Sequence, residues 1–423
     1  MAAAIAAARE GADVTIYERN DRLGKKILAT GNGKCNLGNM QLSVQSYECN
    51  EKERLAHWLN QFGAEDTVGF FEGLGLMVKE KNGYLYPVSE QASSVLDVLR
   101  IAVEQLGVKV VYEAKIDRVS PLKTGAFEIA WKDRCAVHTC VILACGSKAA
   151  PKTGSDGSGY QIAAKLGLRL TTIVPALVQL KCAESACKSI AGVRADALVH
   201  IWNGKEKIIS ERGELQLTEY GISGIPVFQL SGLVNRMMEE GNRQLRAEID
   251  FLPEISEDAW KAFAKERIAW LDKISVKGND SNALKLSVEA FFTGMLNKKL
   301  MLLFIKMAGR KPGDIVNSVP REKLMEVFWL CKHFTLHITG SNSFDSAQIC
   351  AGGVRLREVT DELEAVRIPG LYLAGELLDV DGRCGGYNLQ WAWTSGYIAG
   401  KAAVKPHNSS KKKVVIVRGK ADK

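Results

Sequence analysis

The sequence predicts an α/β protein whose doubly wound parallel sheet is split by a β-rich insert and a small helical unit. Three observations carry the prediction. Within residues 2–18 an alanine-rich stretch leads through a short turn into a β-branched run that ends in an acid. Apolar runs ending in small-residue turns recur at Val141–Gly146 and Gly370–Gly375. Between them the pattern changes to short alternating runs over about 175–255 and helical periods over about 256–330. At 423 residues the chain exceeds the roughly 250–300 that one core sustains, so two or three domains are expected.

Residues 2–9 (A-A-A-I-A-A-A-R) are strong helix formers, and Gly11 reads as the stop. Asp13–Glu18 (D-V-T-I-Y-E) reads as a buried parallel strand. Helix, turn and strand closing on an acid match the second half of a Rossmann-like βαβ unit, where a carboxylate bonds ribose hydroxyls; Glu18 is the candidate. The strand and G-x-G-x-x-G turn that open such a unit are not found before Met1. The expectation is that the natural start lies upstream. A truncated chain, or a tail strand at Val414–Val417 in the vacant sheet position, are the alternatives.

Residues 21–39 contain Gly24, Gly31, Gly33, Asn32 and Asn36, flanked by Lys25, Lys26 and Lys34. This predicts a tight loop whose backbone donors suit a phosphate or an electron-rich ring edge. Helix is expected over 51–80, a turn with two tyrosines at Gly83–Pro87, an amphipathic helix at Ala92–Leu106 and a strand at Val108–Tyr112. Residues 127–143 alternate as a hairpin, and a turn-rich loop at Pro151–Tyr160 leads into a helix at Gln161–Leu166. Glu214–Pro226 ends one alternating run at a glycine-rich bend; Asp258–Trp270 and Leu284–Leu303 are helical, and strand chemistry returns near His337. The nucleotide domain is therefore expected at 1–175 and 346–404, the insert at 176–255 and about 331–345, the helical domain at 256–330, and a basic tail at 405–423.

Composition excludes several classes. The net charge of +8 is mild, and the adjacent Lys411, Lys412 and Lys413 contribute part of it. No basic stripe interleaved with aromatics is present, so no nucleic-acid partner is expected. The ten cysteines form no C-x-x-C pair and the six histidines are scattered, so no metal site is expected. The absence of a secretory signal or an apolar run of roughly 18 residues points to a reduced, cytoplasmic protein with no membrane partner.

Residues 370–400 are the most informative. Gly370–Leu373 is a strand, Ala374-Gly375-Glu376 a close turn, and Asp379, Asp381, Gly382, Gly385 and Gly386 a flexible polar loop. Asn388–Gly400 is a helix whose Ala392, Gly396 and Ala399 are spaced for close approach of a neighbour. The start of that helix, near Tyr387 and Asn388, offers N–H groups and a positive dipole end to an electron-rich ring.

Four stretches carry a resemblance to a known family: R-L-G-K-K-I-L-A-T-G-N-G-K-C-N-L (22–37), G-Y-L-Y-P-V-S-E-Q-A-S-S-V (83–95), V-I-L-A-C-G-S-K-A-A-P-K-T-G-S-D-G-S-G-Y (141–160), and A-G-G-V through L-Y-L-A-G-E-L-L-D-V-D-G-R-C-G-G-Y-N-L-Q-W-A-W-T-S-G (351–396). They resemble the BaiN-type, aminoacetone-oxidase-like family of FAD-dependent, NAD(P)-linked oxidoreductases. The resemblance implies a split, Rossmann-like FAD-binding domain with a β-barrel-like insert and a small helical part. It implies that Glu18 binds the ribose and that Arg22, Lys26, Asn32 and Gly33 lie along phosphates and flavin. Ala144 and Gly146 would pass the adenosine side, Gly375, Glu376 and Asp379 would approach the pyrophosphate and ribityl chain, and Asn388 and Leu389 would face the flavin ring. The chain reads A-C-G-S at 144–147 where relatives commonly have A-T-G-G.

One branch of that family reduces ring double bonds of 3-oxo bile-acid intermediates. The implied activity is reduction of a C=C bond conjugated to a ketone in a steroid or bile acid, with NAD(P)H as donor. Such a reaction needs a proton donor within reach, and Tyr387, Tyr84 and Tyr86 are candidates, with Arg383 able to hold a carbonyl or carboxylate. Cys384 is a candidate redox thiol. A flavin amine or aminoketone oxidase using O2, and a non-catalytic FAD- or RNA-associated protein, are the alternatives. No second G-x-G-x-x-G marks a separate NAD(P)H domain.

Overall fold

A computed structural model describes residues 1–277, 286–405 and 413–417. These divide into two compact units, one of Met1–Leu177 with Ser343–Lys423 and one of Val178–Asn342.

The first unit is built on a five-stranded parallel sheet. Its strands are β1 (Asp13–Tyr17), β2 (Lys109–Val111), β3 (Cys140–Leu143), β4 (Leu371–Leu373) and β5 (Lys413–Val417), in spatial order β4-β3-β5-β1-β2. Val14, Ile16, Val141, Ile142 and Leu143 are all buried, because helices cover both faces of a parallel sheet and leave no polar side. The sheet position predicted to be vacant is filled by β5, which pairs with β1 from Asp13↔Lys413 to Tyr17↔Val417 and with β3 from Cys140↔Val414 to Leu143↔Val417. Val414–Val417 is thus a strand of the parallel sheet, as one of the alternatives above has it. Four consecutive β-branched residues, Val414–Val417, have high strand propensity and are all buried here. Lys411 and Lys412, and the side chain of Lys413, lie outside the described residues, as does the start of the helix expected from Leu284.

Helix α1 (Ala2–Arg9) packs on α4 (Tyr387–Ala402); between them lie α2 (Ala92–Gln105) and α3 (Ser158–Lys165) in chain order. The α1–α4 contact explains the small residues of both helices. A Cβ on Gly400 would stand 2.4 Å from the Ala3 carbonyl oxygen, and one on Gly396 would meet Ala2 at 3.5 Å. Close approach of α1 is therefore the neighbour that the Gly396 spacing anticipates.

The second unit contains a closed six-stranded barrel, in the order 180–182, 221–224, 206–218, 194–203, 245–250 and 334–341. Helices Glu257–Lys277, Val288–Phe292, Lys298–Met307 and Arg321–Leu330 belong to the same unit and share its core, where Trp260, Phe291, Phe292, Phe304, Phe328 and Phe334 are buried. Barrel and helices therefore form one unit where the sequence suggests two. No helix among the described residues is long and apolar enough to cross a membrane.

Two local expectations are corrected. Helix ends at Glu72, and Val78–Lys81 is a strand paired with Tyr84–Pro87, which replaces both the long helix over 51–80 and the turn at Gly83–Pro87. The reason is Asn82-Gly83: both take positive φ (53° and 86°), the tight hairpin turn that this dipeptide favours. The run through Glu214 ends at Thr218 as expected, pairs with Gly221–Gly224, and leads into a helix, Ile225–Glu239, with Pro226 in its first turn, where a missing N–H costs nothing.

Candidate functional site

All predicted site residues lie in the first unit, and three of its strand ends converge at the carboxyl edge of the sheet, where open α/β sheets bind ligands. After β1 stands Glu18, 1% exposed, its Oε1 accepting from the backbone N (3.0 Å) and Nδ2 (2.9 Å) of Asn20. Beyond β3 comes the Ala144–Gly146 turn; Gly146 has φ +73°, and a Cβ there would lie 2.7 Å from Ser155 Oγ. Two residues after β4 stands Gly375, whose N–H donates to Ser395 Oγ (2.8 Å) while its carbonyl accepts from Trp391 Nε1 (3.1 Å). Helix α4 thereby holds the β4 turn.

The two glycine-rich segments meet, although about 350 residues separate them in sequence. Lys26 Nζ donates to Glu376 Oε2 at 2.7 Å, and Ser147 Oγ donates to the same oxygen at 2.9 Å. One carboxylate thus ties the 22–34 loop to the turns after β3 and β4. Further along, Asn39 Nδ2 donates to the Gly385 carbonyl (3.2 Å), and Trp393 Nε1 donates to the Leu37 carbonyl (2.9 Å). The Asn36 amide, oriented so that both of its ends find partners, donates to Gly38 O (2.8 Å) and accepts from Gly386 N (3.3 Å). Backbone spacing is minimal at this seam: a Cβ on Gly386 would stand 2.6 Å from Gly38 O.

The loop before α4 gathers the candidate proton donors. A Cβ on Gly385 would lie 2.9 Å from Tyr84 Cε1 and 3.3 Å from Tyr387 Cε2, so both rings flank that glycine. Tyr84 is 39% exposed, Tyr387 is half-buried, and Arg383 is exposed two residues before Gly385. Tyr84 and Tyr86 also line a cavity of about 250 Å³ with Lys34, Lys81, Asn82 and Glu90. Lys34 and Lys79 each donate to Glu90 at 2.7 Å, which holds its carboxyl at about 2, well below the carboxylate range. Burial pushes the Cys384 thiol up to about 11, so at neutral pH it is a protonated thiol rather than a redox-ready thiolate.

Several predicted residues have partners within the chain. Arg22 points outward, 58% exposed, beside Asp21 (3.4 Å). Lys26 and Glu376 bond each other. The Asn388 amide folds back on the loop, accepting from Gly382 N (2.8 Å) and donating to Gly382 O (2.7 Å), so it shapes the loop rather than facing outward from the helix. Gly33 and Asn32 are exposed with left-handed backbone (φ 84° and 53°), Asp379 is buried, and Leu389 is half-buried. Sequence reasoning missed Asn39, Ser147, Tyr160 and Tyr47. Tyr160 OH donates to the Glu376 carbonyl (3.2 Å), and the fully buried Tyr47 donates to the Tyr387 carbonyl (2.9 Å), with burial and the neighbouring Tyr387 raising its hydroxyl well above the usual range. Only the repeated asparagines at 32, 36 and 39 gave a signal for any of these. No group of three or more His, Cys, Asp or Glu side chains that could hold a metal occurs among the described residues.

A parallel sheet with a buried acid after β1 and glycine turns after β3 and β4 defines a Rossmann-type dinucleotide-binding protein. The chain belongs to the family described as HI0933-like protein Rossmann domain, which matches residues 1–402. It is 41% identical to the 3-dehydro-bile acid delta(4,6)-reductase of Clostridium scindens, over 96% of each chain. It is 24% identical to the ribosomal RNA dihydrouridine synthase of Haemophilus influenzae, over 92% of each. Among solved structures, the 3-ketosteroid-delta4-(5alpha)-dehydrogenase of Rhodococcus jostii in complex with 4-androstene-3,17-dione aligns with a TM-score of 0.44 at 16% identity, covering 96% of this chain and 94% of that one.

Proposed function

We propose that the protein is an FAD-dependent oxidoreductase that saturates C=C bonds conjugated to a ketone in a 3-oxo steroid or bile acid, with NAD(P)H as electron donor. The observation that carries this is the 41% identity to a bile-acid delta(4,6)-reductase along almost the whole of both chains. The site fits the cofactor. Glu18 offers a buried carboxylate to ribose hydroxyls, the Ala144–Gly146 turn is read as passing the adenosine side, and Gly375, with open space where a Cβ would stand, leaves backbone room for a pyrophosphate. The start of α4 presents its positive end to an electron-rich ring.

FAD, when bound, supplies the hydride that reaches the substrate β-carbon. The chain's own part is to orient the enone and deliver a proton. Arg383 is exposed beside Gly385 and can pair with the ketone oxygen or with a side-chain carboxylate. Tyr84 and Tyr387, on either side of Gly385, are the groups with reach to protonate the α-carbon or the enolate oxygen. The relative named as a ribosomal RNA dihydrouridine synthase makes uracil in ribosomal RNA the second substrate to try.

The test is direct. Purified protein is loaded with FAD, reduced anaerobically by NADH or NADPH, and mixed with a 3-oxo-4-ene steroid acid. Return of the oxidised flavin band and a saturated product are expected. A flavin that stays reduced with the steroid acid overturns the enone reading. Hydrogen peroxide released with small amines would replace it with an oxidase.

A further inference from the structure

The hairpin of Val78–Lys81 and Tyr84–Pro87 carries a charged and aromatic face beside the loop before α4. Its register sets Lys81 opposite Tyr84 and Lys79 opposite Tyr86, and alternation along each strand puts all four side chains on that face. Glu80 and Leu85 belong to the other face, where Leu85 is buried and Glu80 accepts from Gly83 N (2.9 Å). The third strand, Gly38–Asn39, pairs Asn39 with Tyr84, and Asn39 Nδ2 in turn donates to the Gly385 carbonyl. The cavity of about 250 Å³ described above opens on the tyrosine face. Lys34 and Lys79 share one carboxylate, that of Glu90, while Lys81 lines the cavity and makes no ion pair among the described residues. Three ammonium groups are thus matched by one carboxylate, an imbalance that attracts an anion. Burial and the neighbouring Tyr84 raise the Tyr86 hydroxyl above its ordinary value, so at neutral pH it stays a hydrogen-bond donor.

The cavity is smaller than the roughly 300–1,000 Å³ of pockets that enclose a whole small molecule, so it fits one end of a longer ligand. Tyr84 belongs both to the cavity and to the surroundings of Gly385, so that ligand reaches the loop before α4, where the flavin ring is read. Two reactants bring an anion there: the phosphates of the nicotinamide donor and the carboxylate of a steroid acid. Reach separates them. In a steroid acid the carboxylate lies across the fused rings from the enone, whereas in a nicotinamide dinucleotide a single ribose separates the reacting ring from the diphosphate. A cation directly opposite Tyr84 suits the shorter span. We propose that the cavity of Lys81, Tyr84 and Tyr86 docks the diphosphate of the nicotinamide donor, with the Lys81 ammonium on the phosphate oxygens and the tyrosines beside the ribose. This rests on the flavin reading above. Arg383 is then left to the ketone or carboxylate of the second reactant.

The test uses the FAD-loaded protein and the Lys81→Met variant, which keeps an aliphatic side chain at an exposed position and removes the charge. Calorimetry measures the dissociation constants of the unreactive tetrahydronicotinamide analogues of NADH and NADPH. A rise of about tenfold is expected for Lys81→Met, while Lys81→Arg stays within about threefold of the unmodified protein. Added salt is expected to weaken binding less in Lys81→Met than in the unmodified protein. Analogue binding unchanged in Lys81→Met overturns the proposal. The other source of the anion is read in a second experiment, in which dithionite reduces the flavin and a 3-oxo-4-ene steroid acid reoxidises it. Half-saturation by the steroid acid that rises about tenfold in Lys81→Met, with analogue binding unchanged, assigns the cavity to the substrate carboxylate and overturns the proposal. A flavin that the steroid acid never reoxidises in the unmodified protein sinks the enone reading, and a loss of analogue binding in Lys81→Met still supports the donor site.

Discussion

The two glycine-rich segments of the site use glycine for different physical reasons. At Gly31–Gly33 the backbone turns left-handed at three successive residues, Gly31, Asn32 and Gly33, yet a Cβ on Gly33 would meet nothing within 4 Å. At Gly33 glycine is needed for its torsion angles alone, whereas a Cβ on Gly31 would also stand 3.0 Å from Asn36 N. At Gly385 and Gly386 the same positive φ (122° and 93°) coincides with contact: Gly38 O, the Asn36 amide and Tyr84 leave no room for a methyl group. One loop is open and shaped by conformation, while the other is a seam where two distant parts of the chain touch. The comparison teaches that glycine enrichment alone does not mark a ligand contact; the surroundings of the missing Cβ separate a turn from a seam.

The largest expected effect falls on the seam. Gly386→Ala drives a methyl against the Gly38 carbonyl oxygen at positive φ, and is expected to cost about 3 kcal/mol and most of the bound flavin. Denaturant midpoint and flavin absorbance measure both; a variant that keeps both would show that the seam relaxes without cost. Glu376→Gln is expected to be intermediate, at about 1–2 kcal/mol, because Lys26 keeps a neutral acceptor but loses a part-buried charge partner. Coupling measured against Lys26→Met in a double-mutant cycle would vanish if the brace were not formed. Smallest is Gly33→Ala, expected to cost about 1 kcal/mol from backbone strain alone and to leave flavin affinity within a factor of two or so. A larger loss of affinity there would mean that the open loop also closes on the ligand.

Much of the first unit is legible in the residues themselves. The helix at 2–9, the strand from Asp13, the strand into Ala144–Gly146 and the strand-turn-helix at 370–400 follow from helix propensity, β-branching and turn chemistry, all local properties. The meeting of the 22–34 loop with the turn at Glu376 is in line with the family resemblance, which sets both against one cofactor. Local ambiguity accounts for the misses. Lysines and glutamates near 78–81 fit a helix until Asn82-Gly83 forces a hairpin. Lys26 and Glu376 each suit a phosphate or a ribityl hydroxyl taken alone; their pairing at 2.7 Å comes from the fold and is not announced by either residue type.

Residue type and local pattern settle which segments become buried strands, where the chain turns, and which groups are available to hold a dinucleotide. The order in which those strands lie is set in the folded chain, because a short apolar strand carries no record of its neighbours. Val414–Val417 fits any buried parallel position, and in the fold it lies between β1 and β3, paired in parallel with both. The same reason explains Asn39, Ser147 and Tyr160. A polar side chain acquires its role from the groups that distant segments bring within hydrogen-bond reach, and that distance is written in the fold rather than in the spacing of residues.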